Sequence, residues 1–180
     1  MRWKSIPLAT EESINALASK LTVPKVIAKL LTQRGITSFE QAKIFFRPEW
    51  SQLHDPFLMQ DMQAAVVRIV KAIDQQEKVM IYGDYDVDGT TSVALVTSYF
   101  KDKINYLTPY IPDRYKEGYG ISMSGIDTAK EGGITLIIAL DCGIKAHKQV
   151  AYAAKLGIDF IICDHHLPSE ILPPAAAVLD

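Results

Sequence analysis

From about residue 78 onward the sequence predicts an α/β fold, a mainly parallel sheet flanked by helices, preceded by a small helical N-terminal cap. Three observations predict it. Strand-like and helix-like stretches alternate in order, the pattern of βαβ units. Runs such as Leu136–Leu140 and Phe160–Ile162 are continuously apolar, as strands buried on both faces are. The unusual polar residues fall just beyond strand ends, where open parallel sheets place their ligand sites.

The cap spans residues 1–48. A first helix is predicted over about 10–20, with Thr10 as N-cap and Glu11 and Glu12 in the positive first turn. Pro24 suits the first position of a second helix, in which Val26, Ile27, Leu30 and Leu31 recur at helical spacing until Gly35. Ser38 and Gln41 form a capping box for a third, with Phe39, Ala42, Phe45 and Phe46 as its apolar face. Residues 49–77 are a connector and a long helix. The stretch from Arg47 to Gln60 reads as irregular, with Trp50, Leu53, Phe57 and Leu58 as packing anchors. His54 has no companion ligand nearby and reads as structural or surface. The long helix covers about 61–76 and presents Met62, Val66, Ile69, Val70 and Ile73 on one face.

The third region, 78–180, carries the alternation. Strands are predicted at 78–82, 104–110, 134–140 and 158–163, with helices at about 89–100, 122–131 and 145–156 between them. Ala175–Asp180 reads as the start of another strand.

Composition narrows the function classes. With 48% apolar and 22% charged residues the chain is an ordinary globular one, and no apolar run is long enough for a membrane span. Met1–Ser5 lacks a signal-peptide core, so the cytoplasm is the expected compartment. Cys142 and Cys163 lack C-x-x-C spacing, which argues against structural zinc, and a disulfide is unexpected in a reducing compartment. They read as small half-buried residues at strand ends. The net charge of −2 gives no global signal for nucleic acid, although two bound divalent cations would reverse its sign.

Three strand ends carry the chemistry. The first reads Gly83-Asp84-Tyr85-Asp86-Val87-Asp88-Gly89. Its carboxylates fall at every second position and repel one another unless a cation holds them, although an acidic solvated turn would look the same. The second reads Asp141-Cys142-Gly143, where Asp141 could equally cap the next helix. The third reads Asp164-His165-His166, which alone could be a solvated loop. Their delivery to one edge of one sheet is what the bland readings leave unexplained. Carboxylates with imidazole suit Mn²⁺ or Mg²⁺.

Together, D-Y-D-V-D-G after a strand, D-C-G-I, and D-H-H after a strand resemble the signature of the DHH phosphoesterase superfamily. Within it, the loop Arg114-Tyr115-Lys116-Glu117-Gly118-Tyr119-Gly120-Ile121-Ser122 and the helix end Leu30-Leu31-Thr32-Gln33-Arg34-Gly35-Ile36 resemble the branch of 5′ to 3′ single-strand-specific DNA exonucleases of recombination and repair. The resemblance implies a hydrolase of phosphodiester bonds using two divalent ions, Mn²⁺ more than Mg²⁺. It matches Asp86 and Asp88 to metal ligands, with Asp84 a further ligand or a group behind them. Asp141 matches a bridge between ions, and His165 a ligand. His166 matches a residue facing the phosphate, with Asp164 orienting a histidine. Arg114 and Lys116 are expected to bind backbone phosphates, and Tyr115 and Tyr119 to stack on bases. A solvated crossover with its tyrosines packed on the sheet is the plain reading of that loop.

Single-stranded DNA is the implied partner, with a single-strand-binding protein and a helicase as associates and no membrane. Family members continue past Asp180 with a further metal-ligating motif and further domains. The expectation is therefore an N-terminal fragment, with its DHH domain truncated, an incomplete metal site and weak or no activity alone. Two other readings stand beside this one: a DHH-family hydrolase of short oligonucleotides or small phosphates, and a non-catalytic replication-factor relative that binds partners. A dinucleotide-binding domain is disfavoured because no G-x-G-x-x-G follows the first strand.

Overall fold

A computed structural model describes residues 6–7 and 9–180; the N-terminal reading drawn from Met1–Ser5 lies outside the described residues. The chain divides into two compact units, one up to His54 and one from Asp55 to Asp180.

In the first unit α1 spans Glu11–Leu21, α2 Lys25–Thr32 and α3 Phe39–Phe46. Thr10 caps α1 by accepting the Ser13 N–H, and the Ser38–Gln41 capping box starts α3 as the sequence indicates. Pro24 stands one position earlier than expected, at the N-cap of α2. Ile14, Leu17, Ala18, Ala28 and Leu31 form the core of this unit. The expected apolar face of α3 is corrected: Ala42 is buried, but Phe39, Phe45 and Phe46 are exposed. Short 3₁₀ turns at Trp50–Gln52 and Pro56–Leu58 occupy the connector. Its supposed anchors are not anchors, for Trp50 is 90% exposed and Leu53, Phe57 and Leu58 are exposed too. Apolar side chains on a stretch without periodicity have no face to direct them inward.

The second unit begins with α4, Met62–Asp74, and then alternates β1 (Lys78–Gly83), α5 (Val87–Phe100), β2 (Tyr106–Tyr110), α6 (Met123–Glu131), β3 (Leu136–Leu140), α7 (His147–Lys155), β4 (Asp159–Cys163) and β5 (Ala177–Leu179). All neighbouring strands are parallel, in the order β2-β1-β3-β4-β5. The direction of winding reverses between β1 and β3, and doubly wound sheets open a crevice for ligands at that point.

Strand side chains alternate between two faces. Val79, Ile81, Ile138 and Ile161 pack with Ala65 and Ala72 of α4 and Val93 of α5. Met80, Tyr82, Ile137 and Ile162 pack with Ile126 of α6 and Val150 of α7. This double cover is why β3 is buried at every position, each large side chain contributing about 1.5–3 kcal/mol relative to exposure. The reading of α4 needs correction, since its fully buried positions are Ala65 and Ala72, while Ile69 and Ile73 are partly buried and Val70 is exposed. Small residues let that helix approach the sheet closely. Arg68 of α4 binds Glu77 at 2.7 Å and Asp159 at 2.6 Å, tying the helix to the strand starts at the opposite end from the site.

Candidate metal centre

The register of the sheet builds the site. Gly83, Leu140 and Cys163 pair across β1, β3 and β4. The next residue on each strand is therefore Asp84, Asp141 and Asp164, three aspartates in one row across adjacent strands. Backbone bonds carry the row past the formal strand ends: the Asp141 N–H donates to the Cys163 carbonyl at 2.8 Å and the Asp164 N–H to that of Leu179 at 3.0 Å. The corresponding position after β5 is the exposed Asp180, which the sequence reading did not place at this edge.

Asp84 is 1% exposed, and neither carboxylate oxygen has a hydrogen-bond partner. A buried carboxylate left so costs several kcal/mol unless something pairs with it. Two glycines bring it under the start of α5. A Cβ on Gly89 would lie 2.4 Å from the Asp84 carbonyl oxygen, and one on Gly83 would lie 2.8 Å from that of Gly89. The helix begins at Val87, two residues before the sequence reading put it, because Asp86 is its N-cap and accepts the Gly89 N–H at 3.0 Å. Asp86 and Asp88 thus stand exposed at the positive end of α5, which moderates their mutual repulsion.

Asp141 is buried and has a left-handed backbone, φ 61°, which costs a non-glycine residue about 1–2 kcal/mol. It does not cap α7, whose N-cap is Ala146. Its Oδ1 faces His165 Nε2 at 3.0 Å. Burial, then the nearby Asp86, push its carboxyl above the usual range, against the favourable pull of His165. Asp164 behaves oppositely. Burial opposes its charge, but the Ile144 N–H at 2.9 Å, the His166 backbone N–H and the His166 ring Nδ1 bond to it, holding its carboxyl below the usual range. The His166 Nδ1 lies 2.7 Å from Asp164 Oδ1, and this bond raises the His166 pKa.

Ligand atoms of Asp141, His165 and His166 all lie within 4.8 Å of one another, a spacing that one cation can span. Asp84, Asp86 and Asp88 stand outside that tight set, although Asp86 and Asp88 are near enough to oppose the charge on Asp141. Carboxylate oxygens with imidazole nitrogens, and an orphaned buried carboxylate at the same edge, are donors that fit Mn²⁺ or Mg²⁺. Burial raises both thiols, Cys163 to about 11, so both are protonated at neutral pH in the metal-free chain.

The loop 111–122 sits at the rim. Arg114 holds its guanidinium 5.2 Å above the Tyr85 ring, a partner the sequence reading missed. Lys116 is exposed and Tyr115 is 96% exposed. Tyr119 is 59% exposed, with its hydroxyl 3.3 Å from His166 Nε2. The tyrosines that pack on the sheet are others. Tyr82 and Tyr110 stack at 5.1 Å; Tyr82 donates to the Gly120 carbonyl and accepts the Ser122 N–H. Glu117 gathers Tyr110, Ser122, Ser124 and the Asp113 N–H. All four partners lie within seven residues of Glu117, so the loop is tied together locally around one carboxylate.

The chain, with its three-layer α/β unit and its acidic and histidine-bearing strand ends, belongs to the DHH family: the model of that family's N-terminal domain matches residues 78–180. More particularly, the chain is 40% identical over 179 residues to the single-stranded-DNA-specific exonuclease RecJ of Bacillus subtilis (strain 168), covering 99% of this chain and 23% of the relative. A crystal structure of exonuclease RecJ bound to manganese matches 70% of this chain and 32% of its own with a TM-score of 0.63 at 28% identity. The RecJ structure with Mn²⁺ from Thermus thermophilus shares the fold over 98% of this chain and 24% of its own, with a TM-score of 0.69 at 23% identity. This chain spans about a quarter of the length of the curated relatives it matches. Among the described residues no helix is long and apolar enough to cross a membrane.

Proposed function

We propose that the chain supplies the metal-binding edge of a single-strand-specific DNA exonuclease that works 5′ to 3′ and uses two divalent ions, Mn²⁺ in preference to Mg²⁺. The observation that carries the reading is the aspartate row at the β1/β3 switch point, with Asp84 buried and unpartnered. Residues 78–180 are the DHH phosphoesterase domain on this reading, with 49–77 its connector and long helix and 1–48 a helical cap.

Asp84, Asp86, Asp88, Asp141 and His165 would hold the ions. Bound there, such ions would lower the pKa of water so that hydroxide is available at neutral pH, and would stabilise charge on the leaving oxygen. The chain's own groups do the positioning. Asp164 accepts the hydrogen bond from His166 Nδ1 and turns Nε2 outward, and the same bond raises the His166 pKa, favouring the imidazolium form in which Nε2 can donate to a phosphoryl oxygen. Arg114 stands over the Tyr85 ring and keeps forked donors for a backbone phosphate, and Lys116 adds a second cation. Tyr115 projects free for base stacking, and Tyr119 contributes its ring once it leaves His166. The single-strand-binding protein, the helicase and a cytoplasmic setting for recombination and repair rest on the family resemblance.

For the assembled enzyme the expected activity is release of nucleotides from 5′-labelled single-stranded but not duplex DNA, dependent on Mn²⁺ and abolished by EDTA. For this chain the test is Mn²⁺ binding by calorimetry. Asp141→Ala is expected to weaken it at least tenfold, and unchanged affinity would remove the bridging role and the reading with it.

A further inference from the structure

Against the aspartate row, and lined at one end by its Asp164, lies a cleft of about 230 Å³ that is otherwise mostly apolar. Tyr119–Ile121 form one wall, the turn from Cys142 to Ala146 with Gln149 of α7 forms the other, and His166 closes the end nearest the row. Ile121, Ile144 and Ala146 give it apolar surface, Gln149 a carboxamide, and Lys145 an exposed cation. Sites for drug-sized ligands run to about 300–1,000 Å³, so this one has room for a single ring system and not for a run of nucleotides. An apolar slot with one aromatic wall suits a planar base. A carboxamide both donates and accepts, as the edge of a base requires, and an ammonium at the mouth complements the phosphates to which that base is attached.

One wall carries an exposed side chain with room to swing. Tyr119 lies between Gly118 at φ 81° and Gly120 at φ 78°, and a Cβ on either glycine would meet nothing within 4 Å. The Gly120 carbonyl is held by the Tyr82 hydroxyl at 2.9 Å, so the freedom lies at Gly118, where glycine tolerates both hands of backbone, and in the exposed Tyr119 side chain itself. The Tyr119 hydroxyl rests 3.3 Å from His166 Nε2, the atom that the proposed function assigns to a phosphoryl oxygen. Hydroxyl and phosphate cannot both hold that position.

We propose that this cleft seats the base of the nucleotide whose phosphate meets His166, and that the arriving phosphate displaces the Tyr119 hydroxyl so that its ring closes over the base. The proposal rests on the phosphodiesterase reading of the aspartate row. Gln149 is then the specificity-determining contact and Tyr119 the movable wall.

The test is amide-shift mapping by NMR on the ¹⁵N-labelled 180-residue chain in Mg²⁺, with dAMP and, as the baseless probe, 2-deoxyribose 5-phosphate. Both are expected to shift His165 and His166, while dAMP alone shifts Gly120, Ile144 and the Gln149 side-chain amide. Gln149→Leu is expected to weaken dAMP about tenfold and to leave the sugar phosphate within about twofold. Tyr119→Phe, which keeps the ring and frees His166, is expected to bind dAMP at least as well as wild type, whereas Tyr119→Ala loses affinity. Identical maps for the two probes, or equal losses for both in Gln149→Leu, would overturn the cleft while leaving the phosphodiesterase reading intact. Absence of shifts at His165 and His166 with either probe would overturn that reading and, with it, the proposal.

Discussion

Replacing Asp84 by Asn should make the metal-free protein more stable and the metal-treated protein less responsive. In the wild type both carboxylate oxygens are buried without a partner. An unsatisfied buried group of this kind costs on the order of 1–3 kcal/mol, and more when charged. The amide keeps the shape and removes the charge, so a gain of about 1–3 kcal/mol is expected in EDTA. At roughly 2–4 °C per kcal/mol for a chain of this length, the melting temperature should rise by several degrees. Divalent ions should act in the other direction. A ligand at a hundred times its Kd stabilises by about 2.7 kcal/mol, so Mn²⁺ should raise the wild-type melting temperature by about 5–10 °C. Most of that rise should vanish in the variant. Thermal unfolding followed by circular dichroism, with EDTA and across a Mn²⁺ series, measures both effects. A variant that melts lower in EDTA yet keeps the full Mn²⁺ response would refute the assignment of Asp84 to a cation.

Three further outcomes follow from neighbouring contacts. Gly89→Ala would ordinarily gain about 1 kcal/mol of helix propensity, but its Cβ meets the Asp84 backbone at 2.4–2.7 Å, which no rotamer relieves. A net loss of about 1–3 kcal/mol is expected, seen as a urea midpoint lower by about 1 M; an unchanged midpoint would contradict the close approach. His166→Ala should destabilise more at pH 5.5 than at pH 8. The folded pKa of His166 is raised, so its bond to Asp164 contributes fully below the unfolded value near 6.5 and fades as pH rises through the folded value. Equal losses in urea melts at the two pH values would exclude that coupling. Tyr82→Phe removes a buried hydroxyl that accepts the Ser122 N–H and donates to Gly120, and should cost about 1–3 kcal/mol with faster amide exchange at Ser122. Unchanged exchange there would mean that the loop is held by other contacts.

Local signals were legible where one stretch of chain contains its own cause. Thr10 and Ser38 announce their helices because a cap is satisfied within four residues, and Leu136–Leu140 announces a buried strand because both faces are apolar. The three strand ends were legible for the same reason. What bridges the strands was not. Pairing of Gly83, Leu140 and Cys163 sets three aspartates level, and register is a property of the sheet. Trp50 and Leu53 misled because hydrophobic character without periodicity does not say which way a side chain faces. Tyr119 shows a related limit: its ring suggests stacking, but its contact with His166 depends on two loops that meet only in the folded chain.

The aspartate row has a consequence for how the edge behaves through repeated loading. Its level is set by main-chain bonds from Asp141 to Cys163 and from Asp164 to Leu179, none of which requires an ion. Small metal-organised domains lose their structure when a chelator strips them and must fold again to reload. Here the platform outlasts its cargo. If ions bind here as proposed, their removal would leave those main-chain bonds in place, and refilling is expected at the pace of ion encounter instead of the pace of folding.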